Sequence, residues 1–133
     1  MRKALDRIDT EIADIWIDAN RIIHVDFRDS DLHGLPQAQS ITEAHNQLAK
    51  GTPCPVLADI QSVRVGADRQ ARKHYVSAEA SQMKTAMAML VQSPMQRMLG
   101  NIFFKINRPP YPTRLFSEEE EAVNWLMEVS TKT

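Results

Sequence analysis

The stretch Pro55-Val56-Leu57-Ala58-Asp59-Ile60 decides the fold class. It is short, apolar at both parities, and preceded by the turn formers Gly51 and Pro53. A strand with one face in water alternates apolar with polar. A strand covered on both faces does not need to, and this one reads as the central strand of a parallel sheet. Working backward, residues 36–50 carry Ile41, Ala44, His45 and Leu48 at spacings of three and four, which predicts a helix. Gly51 stands where a helix end favours a left-handed residue, and Pro53 and Pro55 stop any continuation. Further upstream, residues 12–17 form one expected strand. Ile23, Val25 and Phe27 alternate with His24 and Asp26 in a second. Asp18-Ala19-Asn20 is a turn signal between them, so the pair reads as a β-hairpin.

Working forward, Asp68 is placed to cap a helix running to residue 81, with Ala71, Tyr75 and Ala78 inward. Residues 85–91 are a Thr followed by six apolar residues. Ala and Met favour helix, but the shortness of the run and the Ser93-Pro94 boundary favour a buried strand. Ser93 as N-cap and Pro94 in the first turn then open a helix. Its stripe is Met95, Met98, Leu99, Ile102, Phe103 and Ile106. Arg108-Pro109-Pro110-Tyr111-Pro112 cannot be helical and is an extended connector. Residues 113–116 form a short last strand. Ser117 and Glu120 make a capping box for a final helix with Ala122, Val123, Leu126 and Met127 inward.

The resulting order is β-β-α-β-α-β-α-β-α. It predicts a single α/β domain over residues 12–133, behind a charged lead of residues 1–11. The sheet is mixed but mostly parallel, with about five strands and four main helices.

Composition narrows the function. Of 133 residues, 16 are Lys or Arg and 17 Asp or Glu, a net charge of −1 that argues against binding nucleic acid through bulk positive charge. The one cysteine, Cys54, excludes an intrachain disulfide scaffold and fits a reducing compartment. The charged N-terminus has no apolar core of a signal peptide, and the longest apolar run falls far short of the roughly 20 residues of a membrane span. A cytoplasmic location is expected.

Several strings resemble the STAS domain of anti-sigma-factor antagonists, and more closely a bacterial group of small uncharacterised STAS-like domains. They are Ile15-Trp16-Ile17-Asp18 with His24-Val25-Asp26-Phe27, then Pro55 to Ile60, and Leu90-Val91-Gln92-Ser93-Pro94 with Gly100-Asn101-Ile102-Phe103-Phe104. Asn107-Arg108-Pro109-Pro110-Tyr111-Pro112-Thr113-Arg114-Leu115-Phe116 leads into Glu120-Glu121-Ala122. The resemblance spans about residues 12–128. It implies a binding module controlled by phosphorylation of a Ser or Thr just after the second core strand, at a helix N-terminus. The corresponding stretch here, Val63-Arg64-Val65-Gly66-Ala67-Asp68-Arg69, has no hydroxyl, and Ser62 precedes it. The resemblance therefore implies an interaction or regulatory module without the usual switch. Asp68 stands near the acceptor position as a fixed carboxylate, with one charge where a phosphate carries nearly two.

Two candidate sites follow. Loops at the C-terminal ends of parallel strands are where such sheets meet ligands. Here those loops carry Asp59, Ser62, Arg64, Asp68 and Arg69, then Ser93, Gln96 and Arg97. Arginines at a helix N-terminus suit an anionic ligand or acidic partner, while capping and solvated charge is the plainer reading. The second candidate is an apolar pocket of Met87, Met89, Met95, Met98 and Phe103, since Met serves adaptable surfaces as well as irregular cores. The similarity of the STAS fold to the lipid-binding CRAL-TRIO fold makes a small apolar ligand the alternative function. Trp16, Phe104, Tyr111 and Trp125 are candidates for a second apolar surface and a homodimer.

No catalytic motif stands out. His24, His33, His45 and His74 show no metal-ligand spacing, and Cys54 has no thiolate-stabilising neighbour in sequence. The expectation is a non-enzyme with no cofactor or metal. Its partner is an unidentified protein or a second copy.

Overall fold

The computed structural model describes residues 6–29 and 32–130. Residues 1–5 of the expected charged lead lie outside them. The sheet has six strands in sequential order. They are β1 (Asp6–Asp9), β2 (Ala13–Ile17), β3 (Ile23–Phe27), β4 (Cys54–Asp59), β5 (Lys84–Leu90) and β6 (Thr113–Phe116). The helices are α1 (Leu35–Ala49), α2 (Arg69–Tyr75), α3 (Ala78–Ser81), α4 (Pro94–Asn107) and α5 (Glu119–Ser130).

β1, β2 and β3 pair antiparallel, and β3 through β6 pair parallel. All parallel strands are added in one direction, so right-handed crossovers carry α1, α2 with α3, and α4 to the same face of the sheet. That face carries Ile15, Ile17, Ile23, Val25 and Val56 against Ile41, Ala44 and Leu48 of α1. α5 follows the last strand and packs on the opposite face, where Leu57, Ala86, Ala88, Leu90 and Phe116 meet Ala122 and Leu126. The alanines of β5 leave room for that helix to approach. β4 is buried from Cys54 through Ala58, as its two-sided apolar pattern requires.

Two expectations need correction. The sheet has six strands rather than about five, because Asp6–Asp9 of the expected lead pairs with β2. Only Ile8 of this strand is apolar, and it packs against the core opposite Ile15. Its neighbours are held by ion pairs, Arg7 with Asp14 and Asp9 with Arg28. One apolar residue among charges is too weak a period-two signal to read.

The helix expected from Asp68 to residue 81 is two helices. Ser77 breaks it: its hydroxyl donates to His74 O at 2.6 Å and accepts from Ala80 N at 3.2 Å. That side chain caps one helix end and opens the next, in competition with the backbone ladder.

Candidate functional site

α4 decides what the surface offers. It crosses from β5 to β6 at the end of the helical layer, and its main packing partner is the edge strand β6. Within α4 only Gly100 is fully buried. A Cβ at that position would lie 3.0 and 3.2 Å from the Leu115 methyls, so the missing side chain is what lets the helix sit on β6. Phe103 and Phe104, half-buried, flank this contact.

The other apolar residues of α4 point to solvent. Met95 is 66% exposed, Met98 54%, Leu99 56%, Ile102 46% and Ile106 73%. Their spacing of i, i+3, i+4, i+7 and i+11 makes one continuous stripe on the outer side. Beside it, a shallow open groove runs along the helix, lined by Pro94, Arg97, Met98, Asn101, Ile102 and Lys105.

This corrects the expected apolar pocket. Met87 and Met89 sit half-buried on the sheet, and Met87 packs against the α1 core. Met95 and Met98 face water instead of an interior. Phe103 is half-buried and stands apart from the exposed stripe. Hydrophobic periodicity was a correct sign of the helix but does not say which apolar face is covered.

The expected second apolar surface is dispersed. Trp16 stacks on His24 at 4.9 Å between ring centroids, on the sheet face opposite α1. Trp125 packs on Phe116 at 5.7 Å.

The anion-site candidates come out as individual local contacts. Asp59 accepts from Gln61 N at 3.0 Å. Ser62 is exposed. Arg64 pairs with Asp29, its Nε and Nη2 both 2.7 Å from Oδ2. Asp68 caps α2 by accepting from Ala71 N at 2.9 Å, and Arg69 beside it is exposed. Ser93 caps α4 by accepting from Gln96 N at 3.1 Å. Arg97 donates to Ser117 Oγ at 2.9 Å.

The space ahead of α4 belongs to Gln96. Its amide nitrogen donates to Ile60 O at 3.0 Å and Val63 O at 3.1 Å, and its oxygen accepts from Gln92 N at 2.8 Å. Carbonyl oxygens converge there, which disfavours an anion. Gln96 thus fastens α4 to the loop after β4. Gln96→Leu is expected to lose about 1–2 kcal/mol of stability and to speed amide exchange in residues 60–65, read by hydrogen exchange and urea denaturation.

Sequence reading missed the polar features of the face opposite α1. Strand register aligns Asp9, Asp14, Asp26 and Asp59 in one row across β1 to β4. Burial, then the charges of Asp59 and Asp14, raise the Asp26 carboxyl above its ordinary range. Nearby, His24 Nε2 lies 2.9 Å from Asp18 Oδ2, and Asp18 Oδ1 also accepts from the Asn20 and Ile22 backbones. The signal was the period-two position of these acids, visible once the register is known. The row is spread along the sheet, and among the described residues no three His, Cys, Asp or Glu side chains converge as metal ligands.

The other histidines tie elements together. His33 meets the Tyr75 hydroxyl at 2.8 Å, His74 the Thr42 hydroxyl at 2.8 Å, and His45 donates to Met83 O at 2.8 Å. Cys54 is buried, and burial pushes its thiol up despite Arg21 at 3.2 Å. A raised thiol is a poor nucleophile.

A six-stranded, mostly parallel sheet with one covered helical layer and one solitary helix on the opposite face defines a SpoIIAA-like, or STAS-like, α/β fold. The chain belongs to the family described as Domain of unknown function (DUF7793), whose model matches residues 15–130. A solved structure with this architecture is an uncharacterised protein of the DUF3478 family from Shewanella loihica PV-4, described as having a SpoIIAA-like fold. The two share 14% identity and a TM-score of 0.61, over 91% of this chain and 90% of that one. A protein of unknown function from Arthrobacter sp. FB24 is 24% identical, with a TM-score of 0.35, over 90% of this chain and 95% of that one. No curated protein matches. Among the described residues no helix is long and apolar enough to cross a membrane.

Proposed function

We propose that the protein is a non-enzymatic, cytoplasmic STAS-like interaction or regulatory module that binds its partner through the outer face of α4 and lacks the phosphorylatable hydroxyl. The observation that carries this reading is the exposure of Met95, Met98, Leu99, Ile102 and Ile106 on one face of one helix. Single exposed apolar residues are ordinary, whereas a contiguous stripe marks an interaction surface. Fully covering a side chain of this size stabilises by about 1.5–3 kcal/mol, so five half-covered ones leave a substantial driving force for a partner. Met adds adaptability of shape.

The absent switch is supported locally. Asp68 occupies the helix start after β4 with its carboxylate engaged as the cap of α2. Its other oxygen is 3.1 Å from where a Cβ on Gly34 would stand, so it is packed as well as bonded.

A photo-cross-linking residue at position 102, expressed in the native host, tests the docking face. The same residue at Ser40, on the exposed side of α1, is the control. Position 102 is expected to give discrete protein adducts that position 40 does not. Equal labelling from both positions, or none from 102, removes α4 as the binding face.

A further inference from the structure

Resting on α4 as the docking face, we infer that its occupant is an acidic amphipathic helix of another protein. Charge is the observation that selects it. From residue 80 to residue 117 the chain contains no Asp or Glu, while Lys84, Arg97, Lys105, Arg108 and Arg114 are all in that stretch. Three of these belong to α4 or its C-cap. Arg97 and Lys105 line one side of the apolar stripe, along the groove they share with Met98 and Ile102, and Arg108 caps the helix. All three are exposed, and among the described residues they form no ion pair. On the opposite edge the stripe is bordered by half-buried Phe103.

The surface is therefore an apolar strip with cations along one side. A helix with apolar residues at i, i+3, i+4 and i+7 and acids on one flank complements both parts. Acid–base pairing at such a rim mainly sets register and partner choice, and the apolar strip supplies the affinity.

Two other occupants fit less well. A second copy would bring one acid-free rim against another, so like charges would oppose self-pairing. A lipid surface is best met by Trp and Phe on the buried arc of an interfacial helix. Here both phenylalanines of α4 are half-buried, and the exposed stripe holds only Met, Leu and Ile. The basic residues also flank the strip on one side only, and each is worth only about 1 kcal/mol at an anionic membrane.

The test is a selection from a displayed library of helical peptides with randomised flanks, run on the full chain. Selected peptides are expected to carry Asp or Glu beside an apolar stripe. Their binding should vanish with Leu99→Glu plus Ile102→Glu. It should weaken about tenfold with Arg97→Glu, Lys105→Glu and Arg108→Glu combined, and fall as salt rises. These positions are exposed, and unchanged thermal melting confirms that the variants fold.

Neutral or basic flanks among the selected peptides, binding away from α4, or no binders at all overturn the acidic-helix inference. So does sedimentation with phosphatidylglycerol vesicles, or a dimer in analytical ultracentrifugation that Leu99→Glu plus Ile102→Glu dissolves. Specific cross-links from position 102 alongside any of these results leave the docking face standing and remove only its acidic occupant. Failure of those cross-links removes both.

Discussion

Gly100→Leu is expected to lift α4 from the sheet and destabilise the protein by about 1–3 kcal/mol, the range for forcing a large side chain into a filled contact. The reason lies in one close approach. Gly100 is the only fully buried residue of α4, and even a Cβ there would stand 3.0 Å from Leu115 Cδ2. Leu115 is 8% exposed on β6 and has little room to retreat. Gly100→Ala separates size from backbone effects. Ala gains about 1 kcal/mol over Gly in a helix interior, and the two Leu115 methyls are flexible ends that can give a few tenths of an ångström. The Ala variant should sit close to wild type and the Leu variant well below it.

The location of the damage is as informative as its size. α4 is attached by Gly100 and by the hydrogen bonds of Gln96 and Arg97, and it stands outside the two core clusters. Hydrogen exchange should therefore show α4 amides losing protection in Gly100→Leu while β4 and β5 amides keep theirs. Uniform loss across the sheet would mean that α4 is part of the core and that its exposed stripe is no separable docking element.

How much of this was legible in the sequence depends on the kind of signal. Two-sided burial of β4 was readable because no polar residue interrupts it before Asp59. The capping residues Asp68 and Ser93 were readable because their side chains act within one helical turn. β1 was not, since its single Ile8 derives its meaning from Ile15, a partner in another strand. The α4 stripe shows the limit most clearly. Apolar residues recur on more than one arc of that helix, and the sequence does not say which arc meets the sheet. Gly100 was the available clue, because a glycine inside a helix is tolerated where backbone must come close.

The candidate anion site failed for a related reason. Arg64, Arg69 and Arg97 are near one another in the order of loops, yet their partners are set by tertiary contacts such as Asp29 and Ser117. Arg97, Lys105 and Arg108, on α4 and its C-cap, belong to the segment without acids and form no ion pair among the described residues. The near-neutral total charge conceals that segregation, which appears only when the acid-free stretch from residue 80 to residue 117 is placed on the fold.

Acid should unfold the protein through His45 in particular, with a loss of about 3 kcal/mol between pH 7 and pH 4 assignable to that side chain. His45 is 1% exposed, on the inner side of α1. Its Nε2 donates to Met83 O at 2.8 Å, which leaves Nδ1 as an acceptor, and Nδ1 is buried with no hydrogen-bond partner. Adding a proton at Nδ1 would put a charge in the core beside the ammonium of Lys84. Burial first and Lys84 second lower the His45 pKa from 6.5 to about 4, against the opposing bond to Met83. The unfolded chain thus binds a proton in the window from 6.5 down to about 4 while the folded chain does not. Stability contributed by neutral His45 is complete above 6.5, declines as pH falls through that window, and stops declining below about 4. His33 shifts in the same direction, by burial, and adds to the wild-type slope. His45→Gln isolates the effect: an amide N–H can still reach Met83 O, and the titration is gone. Urea denaturation from pH 7 to pH 4 should show wild type losing about 3 kcal/mol more than the Gln variant, with carboxylate and His33 contributions cancelling in the difference. A constant offset between the two curves would mean that His45 takes up its proton within the fold, and that the packing of α1 around Met83 yields to a charge it is built to exclude.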